Sequence, residues 1–118
     1  MNADTIVHTL DTAQLTYVTE DDLQAEILTA LAEAGVEARR EVRLSDDRSR
    51  IDLMAGRVGI EVKTDGGWAD VIRQLTRYAN CAEIDELVLV TTRTRHHHLP
   101  AVLGGKPVHL VSLIGGAL

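Results

Sequence analysis

Arg50-Ile51-Asp52-Leu53-Met54-Ala55-Gly56-Arg57-Val58-Gly59-Ile60-Glu61-Val62-Lys63 reads as a β-hairpin with its turn at Gly56-Arg57. Gly stands first in the turn, as type II′ geometry requires. Ala55 then pairs with Val58, Leu53 with Ile60 and Asp52 with Glu61. One face carries Ile51, Leu53, Ala55, Val58, Ile60 and Val62, all apolar. The other carries Arg50, Asp52, Met54, Gly59, Glu61 and Lys63. A period of two in matching register on both strands fixes which face is buried.

The polar face of this hairpin sets acid against acid. Opposed residues on neighbouring strands have Cβ atoms about 4.5–5.5 Å apart, and like charges there repel. A divalent cation between Asp52 and Glu61 removes the penalty, and a hard ion such as Mg²⁺ takes oxygen ligands. Lys63, two residues after Glu61, points to the same face. Two carboxylates and an ammonium on one spot suit metal-assisted phosphodiester hydrolysis. The alternative is a cross-strand charge cluster neutralised by Arg50.

Outward from the hairpin, the chain of 118 residues, 45% hydrophobic and 25% charged, reads as a single domain over 1–118 with a modest core and not as a disordered chain. Trp68, Tyr17 and Tyr78 are its aromatics, so Leu, Val, Ile and Ala must form the core. No apolar run approaches the ~18 residues of a membrane span, and no signal-peptide pattern opens the sequence. Cys81 is the only cysteine. That excludes an intrachain disulfide or a Cys-rich metal site and fits a reducing cytoplasm.

Net charge is −6, but its distribution is uneven. Residues 1–38 hold eight acids and no Lys or Arg; all twelve basic residues, ten of them Arg, lie from Arg39 onward. Arg is the better phosphate fork. A locally basic surface on an acidic protein follows, with ordinary surface arginine as the alternative.

Residues 4–18 are β-prone and read as a short hairpin. Thr19 with Asp22 makes a capping-box start for a helix over 20–34, striped by Leu23, Ile27, Ala30, Leu31 and Ala34 and ended by Gly35. Residues 36–44 read as a strand and 45–49 as a turn before the hairpin. Asp65-Gly66-Gly67 breaks the chain. Trp68, Val71, Ile72, Leu75, Tyr78, Ala79 and Ala82 have helical spacing, giving a helix over 68–81. Residues 86–93 form a buried strand, 94–105 a loop and 107–114 a last strand. The expected order is α-β-β-β-α-β-β. His96-His97-His98 read as a solvated loop, because three successive histidines do not converge on one ion. His8 and His109 read as structural.

That order, with this hairpin in the middle, resembles the αβββαβ core of the PD-(D/E)XK nuclease superfamily, a restriction-endonuclease-like α/β fold with a mixed central sheet flanked by helices. Asp52 matches the family's metal aspartate and Glu61-Val62-Lys63 its (D/E)-X-K triplet. Ile51 stands where the "PD" proline would be, as in many members. Gln74-Leu75-Thr76-Arg77-Tyr78 resembles the Q-x-x-x-Y element of RecB-type and λ-exonuclease-type branches, and Gln74 and Tyr78 share a helix flank at i, i+4. The same branches carry an acid on the first helix, for which Glu26 is the candidate. The resemblance covers about residues 20–93. In size and layout it is nearest to Holliday junction resolvase-like proteins and small stand-alone phage or bacterial nucleases.

The resemblance implies a Mg²⁺-dependent DNA nuclease, with Mn²⁺ as substitute, either structure-specific or exonucleolytic and at work in repair or recombination in a bacterial or phage-infected cytoplasm. Asp52, Glu61, the Val62 carbonyl and Glu26 would hold the metal. Lys63 would position or activate water, with Gln74 and Tyr78 orienting it. Arg39, Arg40, Arg43, Arg48, Arg50, Arg73 and Arg77 would contact the DNA backbone. A homodimer is expected, because resolvase-like relatives work as two-fold dimers and because strand 108–114 with the tail Gly115-Gly116-Ala117-Leu118 leaves an edge or patch to cover. For Glu26 the alternative is a solvated boundary residue, for Gln74 a bonded boundary amide, and for Tyr78 a core aromatic. The rival function is a catalytically inactive binding or regulatory protein on the same fold, phage-encoded and acting on a host factor. The net acidity favours it, while the intact Asp, Glu and Lys disfavour it.

Overall fold

A computed structural model describes residues 2–113. The tail residues Ile114 and Gly115 to Leu118, expected to end the last strand and form an apolar patch, lie outside the described residues. The chain runs α1 (Ala3–Thr12), α2 (Glu20–Glu33), β1 (Arg39–Arg43), β2 (Arg50–Ala55), β3 (Val58–Lys63), α3 (Trp68–Ala79), β4 (Glu86–Thr91), a 3₁₀ turn (Thr94–His96), β5 (Val102–Leu103) and β6 (Lys106–Ser112).

The first element corrects the sequence expectation. Residues 3–12 are helical, not a hairpin. Ala3, Ile6 and Leu10 fall at i, i+3, i+7 and are fully buried. Asn2 caps the helix through the Thr5 N–H. The threonines that lower helix propensity place their hydroxyls on backbone carbonyls, Thr9 on Thr5 and Thr12 on His8. Burial of one apolar stripe outweighs a weak β preference.

The strands form one mixed six-stranded sheet in the order β1-β2-β3-β4-β6-β5. β1, β2 and β3 are antiparallel; β3, β4 and β6 are parallel. β5 covers β6 only at Pro107 and Lys106. Alternation along β4 divides the interior in two. Val88 and Val90 join Leu53, Ala55, Ile60 and Val62 under α1 and α2. Leu87 and Leu89 join Met54, Leu75, Tyr78 and Ile84 under α3. The hairpin turn is as expected: Ala55 faces Val58, Leu53 faces Ile60, and Gly56 has φ 61°.

The alternation fails at Asp52. Ile51 lies in the α3-side core, whereas Leu53 and Ala55 lie in the other. Val42 also faces α3, although Arg40 reaches Asp21 and Gln24 on α2. The β1–β2 rungs Arg40–Leu53 and Val42–Ile51 are formed, but the rung between them, Glu41 against Asp52, is missing. The β2–β3 ladder stops at Leu53–Ile60, so Asp52 and Glu61 are not the ladder pair that the hairpin register predicts. Both outer strands thus turn over together at Glu41 and Asp52, while β3 continues straight. Ile51 therefore does not belong with the apolar face on which strict alternation places it.

Gly59 registers this turn-over. A Cβ there would lie 2.5 Å from Ile51 Cδ1 and 2.8 Å from Ile84 Cδ1. Gly59→Ala should destabilise the protein by about 1–3 kcal/mol through overpacking. Ile51→Val should cost less in the Gly59→Ala background than in the wild type, by at least about 0.5 kcal/mol in a double-mutant cycle read by urea unfolding. Strict additivity would place Ile51 on the opposite face.

Candidate active site

Where β2 leaves β3, side chains replace the missing ladder. The Asp52 N–H donates to Glu61 Oε1 at 3.3 Å, and the Val62 N–H donates to Asp52 Oδ2 at 2.8 Å. Lys63 gives its carbonyl to Thr92 on the β4 side. Strand parity therefore turns both the N–H and the C=O of Val62 toward the split. Glu61 is 1% exposed. Its Oε2 accepts from the Tyr78 hydroxyl at 3.2 Å and lies 3.4 Å from Lys63 Nζ. The same hydroxyl reaches the Arg50 carbonyl at 3.3 Å, so α3 is tied to both strands across the split.

The electrostatics follow from burial. Loss of water pushes the Glu61 carboxyl up to about 8, the neighbouring Asp52 charge adds to the rise, and Lys63 opposes it. Burial also raises Asp52, against the Val62 N–H and the contact with Glu61 that lower it. Tyr78 is raised by burial and by the charges of Glu61 and Asp52, and the neighbouring Gln74 side chain works the other way. Two acids in contact with one ammonium beside them leave buried negative charge that only a proton or a cation can relieve.

The expected residues come together in part. Asp52, Glu61, Val62, Lys63, Gln74 and Tyr78 meet around the split. Glu26 does not join them. Its Oε1 accepts the Thr16 N–H at 3.3 Å and so holds the connection between α1 and α2. The acid that α2 brings near the split is Glu20, whose charge bears on Asp52 and whose Oε1 accepts the Thr64 N–H at 3.0 Å. Helix geometry explains the exchange: only the N-terminus of α2 reaches the end of β3, and Glu26 lies nearly two turns further on. In the sequence Glu20 reads as a favourable first-turn charge, which hides its second contact.

The arginines also divide. Arg40 reaches Asp21 at 2.6 Å and Gln24 at 2.9 Å, and Arg73 pairs with Asp70, so both expected backbone contacts already meet a carboxylate within the chain. Arg40 and Asp21 sit across the α2–β1 junction, and Arg73 follows Asp70 by one helical turn. Arg39, Arg43, Arg48 and Arg50 are exposed and have no ion-pair carboxylate among the described residues. Arg77 points its Nε to the Ser49 hydroxyl at 3.5 Å. Arg43 and Arg50 are cross-strand partners at the end of the sheet where the split opens. His96, expected in solvent, is fully buried between the Thr91 hydroxyl and the Gly66 carbonyl and stacks on Trp68.

Among the described residues no group of three His, Cys, Asp or Glu side chains is placed to chelate an ion. The hard oxygens on offer are the two carboxylates and the Val62 carbonyl. That set suits Mg²⁺, which keeps several waters and takes one or two carboxylates. No described helix is long and apolar enough to cross a membrane. Comparison with protein-family models, with curated proteins and with solved structures gives no match for this chain.

The raised Glu61 makes the metal-free protein sensitive to pH in a defined direction. Its folded value of about 8 exceeds the ordinary glutamate value of 4.5, so the folded state holds an extra proton between them. The stability carried by that proton is full below about 4.5 and is lost as pH rises through about 8. In chelator, the melting temperature should fall by at least about 4 °C between pH 5.5 and 8.5, the equivalent of about 1 kcal/mol for a domain of this size. Glu61→Gln should flatten the fall. A flat wild-type profile would show that the pair is solvated.

Proposed function

We propose that this chain is a divalent-metal-dependent DNA nuclease of the PD-(D/E)XK type. One observation carries the reading: where the two strands separate, Asp52 takes the Val62 N–H and Glu61 takes the Asp52 N–H, with Lys63 Nζ 3.4 Å from Glu61 Oε2. A cation held by Asp52, Glu61 and the Val62 carbonyl would supply Lewis-acid polarisation of a water and a counter-charge for the phosphoryl oxygens.

The chain's own groups do the rest. The Lys63 ammonium, anchored on Glu61 and only partly exposed, orients the attacking water and stabilises developing negative charge. Tyr78 holds Glu61 in place from α3, and Gln74 steadies the Tyr78 hydroxyl. Glu20, on Thr64, fixes the end of β3 that presents Lys63. Arg43, Arg48 and Arg50 border the split as cations free to meet a phosphate backbone. The acidic N-terminal third confines that contact to this side.

A second reading, an inactive binding module on this fold, draws on the absence of a third acidic ligand among the described residues and on the −6 charge. A cleavage panel separates the two: single strand, duplex, flap, four-way junction and RNA, each with Mg²⁺ or Mn²⁺. Cleavage of at least one DNA substrate is expected. Lys63→Ala should lower it by at least about 10²-fold, the scale of a lost charge-stabilising group, with the fold intact by circular dichroism. Asp52→Asn should abolish the metal-induced rise in melting temperature. Binding of DNA without cleavage under every condition would select the second reading. Light scattering of the same samples tests the homodimer, for which twice the 12.9 kDa chain mass is expected.

A further inference from the structure

Among the described residues, the only strand residue with positive φ that is not glycine is Glu41, at φ 53°. Its side chain is exposed. A left-handed backbone is unfavourable for such a residue and persists only where the surroundings over-determine it. Glu41 stands opposite Asp52, at the one rung missing between β1 and β2. Residues before it face α2 and residues after it face α3, and β2 changes sides at the same level.

We propose that Glu41 is a positioning residue for Asp52: its left-handed backbone turns β1 over, and the Arg40–Leu53 and Val42–Ile51 rungs carry β2 with it, seating the Asp52 carboxylate on the Val62 N–H beside Glu61. A regular β1 would keep Ile51 on the face of Leu53 and extend the β2–β3 ladder. The Val62 N–H would then be taken by backbone, and the Asp52 carboxylate would face Glu61 across a rung instead of sitting on that N–H. Glu41 acts through conformation and makes no contact with substrate. Its importance for function rests on the nuclease reading; its effect on Asp52 does not.

The test varies φ preference at position 41 without altering a buried side chain. Glu41→Gly relieves the left-handed cost, Glu41→Gln keeps it while removing the charge, and Glu41→Val opposes it by β-branching. Glu41→Gly should leave the melting temperature equal or higher. Glycine in an ordinary strand would lower it, so a fall of several degrees overturns the proposal even if the valine variant does not fold. Amide hydrogen exchange supplies the local readout. In the wild type, Asp52→Ala removes the Val62 acceptor and should speed Val62 exchange at least ten-fold relative to Ile60; in Glu41→Val, where backbone takes that N–H, the same substitution should change it less than two-fold, and Mn²⁺ affinity by calorimetry should fall at least ten-fold. Glu41→Gln should match the wild type within two-fold on both. An Asp52→Ala effect on Val62 exchange as large in a folded Glu41→Val protein as in the wild type overturns the proposal, as does loss of that effect with undiminished Mn²⁺ affinity. If the wild type binds no metal, the nuclease reading fails, and Val62 exchange still decides the role of Glu41.

Discussion

The hydrogen bond from the Val62 N–H to Asp52 Oδ2, 2.8 Å long, sits where the sheet divides and ties its two halves together. On one side β1 and β2 have turned over; on the other β3, β4 and β6 run parallel and regular. A backbone donor left inside that division would cost about 1–3 kcal/mol, and the aspartate removes the cost. Because a carboxylate and not a carbonyl fills the place, the junction carries charge. Burial first and that charge second raise Glu61, which in turn holds Lys63 and Tyr78. Backbone satisfaction and site assembly are here one contact.

Stability alone does not account for this arrangement. A regular rung at Asp52 and Glu61 would satisfy the same backbone groups without burying two acids. Apolar residues of similar volume commonly replace buried ion pairs with no loss of stability. The protein instead brings two carboxyls to one junction, one of them 1% exposed, with a single ammonium beside them. Local strain at Glu41 points the same way, since backbone in sparsely populated regions clusters at functional positions. Both departures fall at one level of the sheet, while the remaining β2–β3 rungs are ordinary.

Much of this was legible in the sequence, for identifiable reasons. Residues 50–63 combine a glycine-led turn with a period of two, and the turn pins the register, so Leu53 meets Ile60 as read. Thr19 with Asp22 is a local signal complete within four residues, and both halves of the capping box form. The spacing that gave α3 also put Gln74 and Tyr78 on one flank. What could not be read was the exception at Asp52, because alternation assumes that a strand keeps its face. Glu41 gave no warning: glycine or asparagine would have marked a left-handed position, and glutamate does not. Residues 3–12 misled for the opposite reason, since threonine and valine argued for a strand while the burial of Ile6 and Leu10 depends on a sheet that forms far along the chain.

Glu26 and Glu20 show where a motif ends and geometry begins. A resemblance can say that an acid belongs on the helix before the hairpin, but the acid that serves depends on how the helix meets the sheet. α2 presents its N-terminal turn to the end of β3, as Glu20 on Thr64 records. Six residues on, Glu26 has advanced about 9 Å along the axis, at 1.5 Å per residue, and finds the Thr16 N–H instead. Glu20 therefore contributes a charge that Asp52 feels while its Oε1 is engaged with Thr64. The acidic load at the split is thus set by two strands and a helix end, and its balance falls to Lys63 and whatever cation the two carboxylates admit.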